Sequence, residues 1–122
     1  MLDHVAMRVT NLDRSKQFYA AALAPLGYEL AIEFDGAAGL VSPERVPDFW
    51  LYQGDPGGGF HVAFRAPERA TVDAFHAAAL AAGGADNGPP GPRPQYTPTY
   101  YAAYVHDPDG HNIEVVCHEA ES

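Results

Sequence analysis

The sequence predicts an α+β fold of two tandem βαβββ modules that form a curved mixed sheet around a cleft. Three observations carry this expectation. First, "HVAMR" at 4–8 returns as "HVAFR" at 61–65, and the same 57-residue offset lays Phe18 over Phe75, "AAALA" (20–24) over "AAALA" (77–81) and Gly27 over Gly84. A fixed period of this length marks two copies of one supersecondary unit. Alanine-rich segments match by accident, but accident does not put a histidine, an arginine, a phenylalanine and a glycine on one offset. Second, each copy opens with a short apolar, β-branched run and continues into a segment of helical periodicity. Third, one stretch, "GDPGGG" (54–59), has the composition of a joint.

Taken in order, "DHVAMRV" reads as a strand. Asn11 is the candidate N-cap of a helix over "LDRSKQFYAAALAPLG", with Leu12, Phe18, Ala22 and Leu26 on one face and a stop at Pro25-Leu26-Gly27. Three strand-like runs follow: "YELAIEF", "AGLVS" and "DFWLYQG". In the second copy "FHVAFRA" is a strand, and "ATVDAFHAAALAAGG" is a helix with Thr71 as its candidate cap. The proline- and glycine-rich "DNGPPGPRPQYTPT" reads as a loop too long to be a mere connection, of the kind that serves as a lid or binding segment. "YYAAYVH" and "HNIEVVCH" close the chain around "DPDG". The boundaries are 1–54 for the first module, 58–118 for the second and 119–122 for a tail, all within one domain.

Composition narrows the function. Seven basic against sixteen acidic residues give a net charge of −9, which argues against nucleic acid. The acidic residues are scattered, as on a solvated surface. No run reaches the length of a membrane span, and no basic segment followed by an apolar stretch opens the chain, so neither a membrane nor a secretory signal is expected. Cys117 is the only cysteine, which excludes an intrachain disulfide and fits a cytoplasmic location.

Strand alternation puts His4, Ala6 and Arg8 on one face, and likewise His61, Ala63 and Arg65. A pseudo-twofold relation between the modules brings the two histidines toward one cleft. "PDG" reads as a three-residue hairpin loop with Pro108 preset in φ and Gly110 left-handed, so Asp107 and His111 close the hairpin and Tyr104 lies opposite Glu114. Glu114 sits in an apolar strand, where a carboxylate is costly unless paired or metal-bound. His4, His61 and Glu114 thus form a candidate facial ligand set for one divalent ion: zinc, iron, manganese or nickel. The competing reading leaves each histidine as an ordinary strand-end residue and Glu114 on an open sheet face.

Tyr104 is either an acid/base group beside that ion or a cross-strand partner. Candidate pocket residues are Arg8, Trp50, Arg65, Arg93, Tyr96 and Tyr101, although tyrosines are common strand formers. His76 reads as helix packing, His106, His111 and His118 as solvated turn or tail residues, and Cys117 as buried and inert.

"DHVAMRVTNLDRSKQFYAAALAPLGY", "FHVAFRA" and "YVHDPDGHNIEVV" together resemble the vicinal oxygen chelate superfamily, which includes glyoxalase I, extradiol dioxygenases, fosfomycin resistance enzymes and bleomycin-binding proteins. The resemblance covers nearly the whole chain. It implies metal ligands on the first strand of each module and on the last strand of the second, the positions of His4, His61 and Glu114. Departures separate the chain from each named activity. Trp50, Leu51 and Tyr52 stand where glyoxalase I has a further carboxylate. Tyr104 matches the tyrosine ten residues before the glutamate of extradiol dioxygenases, but Gln95, Tyr96 and Thr97 occupy the region of their additional histidine. Arg8, Arg65 and Arg93 are the only suppliers of the cationic cluster that a phosphonate needs.

The resemblance therefore implies a metal-dependent enzyme that chelates two adjacent oxygens of a small substrate, with Tyr104 and Glu114 in catalytic roles. The alternatives are a metal-free protein that sequesters a small molecule, as bleomycin-binding relatives do, and a non-catalytic dimeric module. A homodimer is expected, with the modules paired within one chain or swapped between two.

Overall fold

A computed structural model of the chain describes residues 1–120; the last two residues of the 119–122 tail lie outside the described residues. Strand β1 (Val5–Val9) leads into helix α1 (Leu12–Ala22), a 3-10 turn at Ala24–Leu26, and strands β2 (Glu29–Phe34), β3 (Ala37–Val41) and β4 (Phe49–Gln53). The second copy runs β5 (His61–Arg65), α2 (Arg69–Ala81), β6 (Ala85–Pro92), β7 (Tyr101–His106) and β8 (Asn112–Cys117). The strands divide into two four-stranded mixed sheets of matching order, β1-β4-β3-β2 and β5-β8-β7-β6. In each, the first strand pairs parallel with the last strand of its own module. The repeat in sequence is a repeat in topology.

Local chemistry accounts for most boundaries. Asn11 caps α1, its Oδ1 accepting from the Arg14 N–H at 3.1 Å. Helix α2 starts earlier than expected, with Glu68 rather than Thr71 at the N-cap and no side-chain cap bond, so helix–sheet packing rather than capping sets its start. The expected loop after α2 is in part a strand. Residues 85–92 pair with β7 despite Pro89, Pro90 and Pro92, with register breaks around Gly88. Prolines are tolerated there because β6 lies at the margin of its sheet, where one side of the backbone owes no ladder bonds.

The β7–β8 hairpin takes the expected register, His106 against Asn112 and Tyr104 against Glu114. Gly110, with φ 88°, closes it in the left-handed conformation that this turn demands.

One apolar core lies between the sheets and the helices. Met7 and Val9 of β1, Phe49 and Leu51 of β4, Val62 and Phe64 of β5, and Ile113 and Val115 of β8 face Phe18, Tyr19 and Phe75 of the helices. The modules pair within the chain, and the hairpin tip of the second docks onto the β1–α1 junction of the first. Tyr19 donates its hydroxyl to Asp107 Oδ2 at 2.5 Å, the Thr10 N–H and hydroxyl both donate to Asp109, and His111 Nε2 donates to the Arg8 carbonyl at 3.1 Å. His111 is therefore not a solvated turn residue but 1% exposed, because the tip that carries it is pressed into the other module. Among the described residues no helix is long and apolar enough to cross a membrane.

Candidate functional site

With odd-numbered residues of β1 buried in the core, the even-numbered ones emerge on the sheet face away from the helices. In β5 the phase is opposite, and His61, Ala63 and Arg65 emerge. In β7 and β8 the even residues share that outer face, so Tyr104 and Glu114 lie side by side on it. Glu114 is nonetheless only 3% exposed, because its neighbours fold over it.

Those neighbours define the centre of the site. His61 Nε2 lies 3.1 Å from Glu114 Oε1, and the Tyr100 hydroxyl donates to Glu114 Oε2 at 2.5 Å. On the other side of the imidazole, His61 Nδ1 lies 3.2 Å from the Asn112 carbonyl. A carbonyl only accepts, so Nδ1 carries the proton and Nε2 of a neutral ring presents a lone pair to a carboxylate oxygen. Two lone pairs at that distance require a cation between them, a proton or a metal. Donors about 2.1 Å from one ion, at angles from octahedral to tetrahedral, stand about 3.0–3.4 Å apart, so the spacing fits a metal.

Tyr104 and Tyr100 are both held protonated. Burial pushes each phenol up from its ordinary value, and the Glu114 carboxylate beside them adds to the shift.

The other sequence candidates scatter. His4 is half exposed, with Nδ1 bound to Asp3 Oδ1 at 2.7 Å, and it lines a small hollow with Tyr28, Asp48, Phe49 and Ala63. Among the described residues, one group of three or more His, Cys, Asp or Glu brings its ligand atoms within 4.8 Å of one another, and it is Asp107, Asp109 and His111. His4 is thus not gathered with His61 and Glu114 in one chain. The Asp107–Asp109–His111 group has the donor types of a metal site. Its carboxylates are, however, already occupied: Asp107 accepts from the Asp109 and His111 N–H groups and from Tyr19, and Asp109 accepts from Thr10 and lies 3.5 Å from Arg14.

Arg93 spends its guanidinium on the Pro89, Gly91 and Pro92 carbonyls and lies over the Tyr104 ring at 5.5 Å. Tyr101 is turned the other way: strand alternation sends it to the helix side, where its hydroxyl donates to Asp73 at 2.7 Å. It does not reach the Glu114 face, which corrects its place among the pocket residues. Tyr96 is 60% exposed and packs on Tyr100, the ring centroids 5.0 Å apart. Arg65 borders a separate hollow with Tyr28, Pro43 and Glu44. Arg8 lines a cleft of about 700 Å³ with Tyr52, Gln53, Phe60 and His111. Trp50 lies flat over Gly39, nearly parallel to Phe34 at 6.5 Å, and donates to the Pro47 carbonyl.

Sequence reasoning missed Tyr100 as a partner of Glu114. It precedes β7 in the turn "TPTY", where no alternation rule assigns a direction. His76, expected to serve only packing, binds Asp86 at 2.8 Å.

The family model described as the glyoxalase/bleomycin resistance protein/dioxygenase superfamily matches residues 1–115. The chain belongs to this superfamily. A glyoxalase/bleomycin resistance protein from Albidiferax ferrireducens T118 is 32% identical, with 96% of this chain and 98% of that one covered at a TM-score of 0.84. An integron cassette protein from the mobile metagenome of the Halifax Harbour sewage outfall is 26% identical over 96% and 97% of the two chains, at a TM-score of 0.73. A mutant of the genomically encoded fosfomycin resistance protein of Listeria monocytogenes, complexed with Mn(II) and a dihydroxypropylphosphonic acid, shares the superfamily fold at 20% identity. It covers 95% of this chain and 88% of its own, with a TM-score of 0.71. Among curated proteins none matches the chain.

Proposed function

We propose that the chain is a metal-dependent enzyme of this superfamily that binds a small substrate through two adjacent oxygens, in lyase, isomerase or dioxygenase-type chemistry. The observation that carries this reading is the His61–Glu114 pair, with Nε2 and Oε1 facing each other at 3.1 Å and the other imidazole nitrogen committed to a backbone carbonyl. One divalent ion held by His61 and Glu114 would supply Lewis acidity toward the substrate oxygens. The Mn(II) complex of the Listeria protein supports such an ion in this fold.

His4 is the third ligand in this reading. Its separation from the pair within one chain favours a homodimer in which His4 of a partner subunit completes the set. The protonated Tyr104 phenol, opposite Glu114 in the hairpin, donates a proton to the substrate oxygen that gains charge. Glu114 serves as ligand and as the carboxylate nearest the reacting atoms. Exposed Tyr96 borders the approach.

Elemental mass spectrometry of untagged protein, beside Glu114→Ala, tests the proposal. Near-stoichiometric metal that is lost in the variant supports it. Metal absent from both, with none taken up on titration with several divalent ions, overturns it. One observation favours a second reading in that event: the cleft of about 700 Å³ bordered by Arg8, Tyr52, Asp55 and Phe60 has the aromatic and mixed-charge lining of a site that sequesters a small molecule.

A further inference from the structure

We infer that Tyr100 is a positioning residue for Glu114, one that fixes which carboxylate oxygen is offered to a bound cation; this rests on the reading that His61 and Glu114 hold a divalent ion. Glu114 has two oxygens and the structure gives each a different task. Oε2 accepts the Tyr100 hydroxyl at 2.5 Å, within the range of charge-assisted O–H···O⁻ bonds. Oε1 faces His61 Nε2. With Oε2 engaged, the carboxylate plane is set, and Glu114 binds an ion through Oε1 alone, beside the imidazole lone pair.

The phenol that sets this plane is itself fixed from both ends. Its backbone is pinned across the loop, the Arg93 N–H donating to the Tyr100 carbonyl at 2.7 Å and the Tyr100 N–H donating to the Thr97 carbonyl at 3.3 Å. Its ring is wedged between Tyr96, tilted at 5.0 Å, and His118, edge-on at 5.3 Å. A side chain so confined loses little rotamer freedom when its hydroxyl binds, which makes the contact effective for orientation.

Glu114 therefore stands to Tyr100 as His61 stands to the Asn112 carbonyl. Each donor of the pair has a fixed partner behind it, and such partners typically govern metal affinity about 10- to 100-fold. The proline-rich segment acquires a function on this account: through Arg93 it holds Tyr100 against the carboxylate.

The experiment is titration of metal-free protein with Co(II), followed by calorimetry and by the visible absorption of the bound ion, on the wild type, Tyr100→Phe and Glu114→Ala. Tyr100→Phe keeps the ring and its packing and removes only the hydroxyl. The expected result is Co(II) binding weakened about 10-fold or more and visible bands displaced from those of the wild type. Affinity and bands equal to the wild type would overturn the inference. So would weaker binding with unchanged bands, which marks a merely structural role. If the wild type takes up no Co(II), or Glu114→Ala binds it as well as the wild type does, the underlying metal reading fails instead.

Discussion

Tyr19 of α1 and Asp107 of the β7–β8 turn are 88 residues apart in sequence and joined by a buried hydrogen bond of 2.5 Å, the phenol donating to Oδ2 across the seam between the modules. The acceptor is a carboxylate 4% exposed, whose other oxygen takes the Asp109 and His111 N–H groups. Deleting the hydroxyl leaves a buried carboxylate one donor short. Tyr19→Phe is expected to cost about 1.5–3 kcal/mol in urea unfolding, with the transition remaining single and cooperative. A loss near zero would mean that water replaces the phenol and that the seam is wet.

The same tyrosine sets an alkaline limit. Burial first, and then the Asp107 charge, raise the Tyr19 phenol well above its ordinary value, and Tyr28 is raised by burial and by its bond to Asp48. In the unfolded chain a tyrosine ionises near pH 10, so below about pH 10 the stabilisation is whole, and it is lost as pH climbs through the higher folded values. Stability should therefore fall steadily above about pH 10, and the slope should be shallower in Tyr19→Phe. Circular dichroism with tyrosinate absorbance at 295 nm (~295 nm being the usual band) reads both events together.

The shared-site reading of His4 makes a prediction of its own. His4→Ala and Glu114→Ala should each lose metal as pure proteins. After unfolding and refolding together they should regain up to about one ion per mixed dimer, since one of two symmetry-related sites then keeps all three ligands. Elemental analysis of the separated mixed species decides it. No recovery removes His4 of a partner subunit from the ligand set.

Gly39 and Trp50 provide a spectroscopic test of the first sheet. A Cβ at Gly39 would come within 2.8 Å of the Trp50 ring, closer than side chains approach one another. Gly39→Ala should displace the indole from the sheet, shifting the emission of the chain's one tryptophan and costing about 1–3 kcal/mol. An unshifted spectrum would show that the ring has room to slide.

The elements and the site differ in how far they could be read from sequence. The repeat revealed the architecture because duplicated units keep their core positions: Phe18 and Phe75, a repeat pair, are both fully buried. The hairpin register followed from the demands of one short turn, and with it the pairing of Tyr104 with Glu114. Strand alternation placed His61 on the face of Glu114.

What sequence could not supply were directions set by tertiary docking. Tyr100 lies outside any periodic element. Tyr101, three residues from Tyr104, lies on the opposite face of β7, and tertiary packing hands its hydroxyl to Asp73. Arg93 looked like a free cation and is clasped by the Pro89, Gly91 and Pro92 carbonyls of β6. His111, expected in water, is buried because the turn that carries it belongs to the seam. Strand β6 was hidden by its prolines, which local propensity reads as loop and a sheet margin accepts.

That proline content has a consequence for how copies of the chain meet. A strand with Pro89, Pro90 and Pro92 presents few N–H groups in sequence to an incoming neighbour, so the outer rim of the second sheet is a poor template for strand addition. Runaway growth into ribbons or fibrils is discouraged at that rim without a covering helix or a fence of lysines.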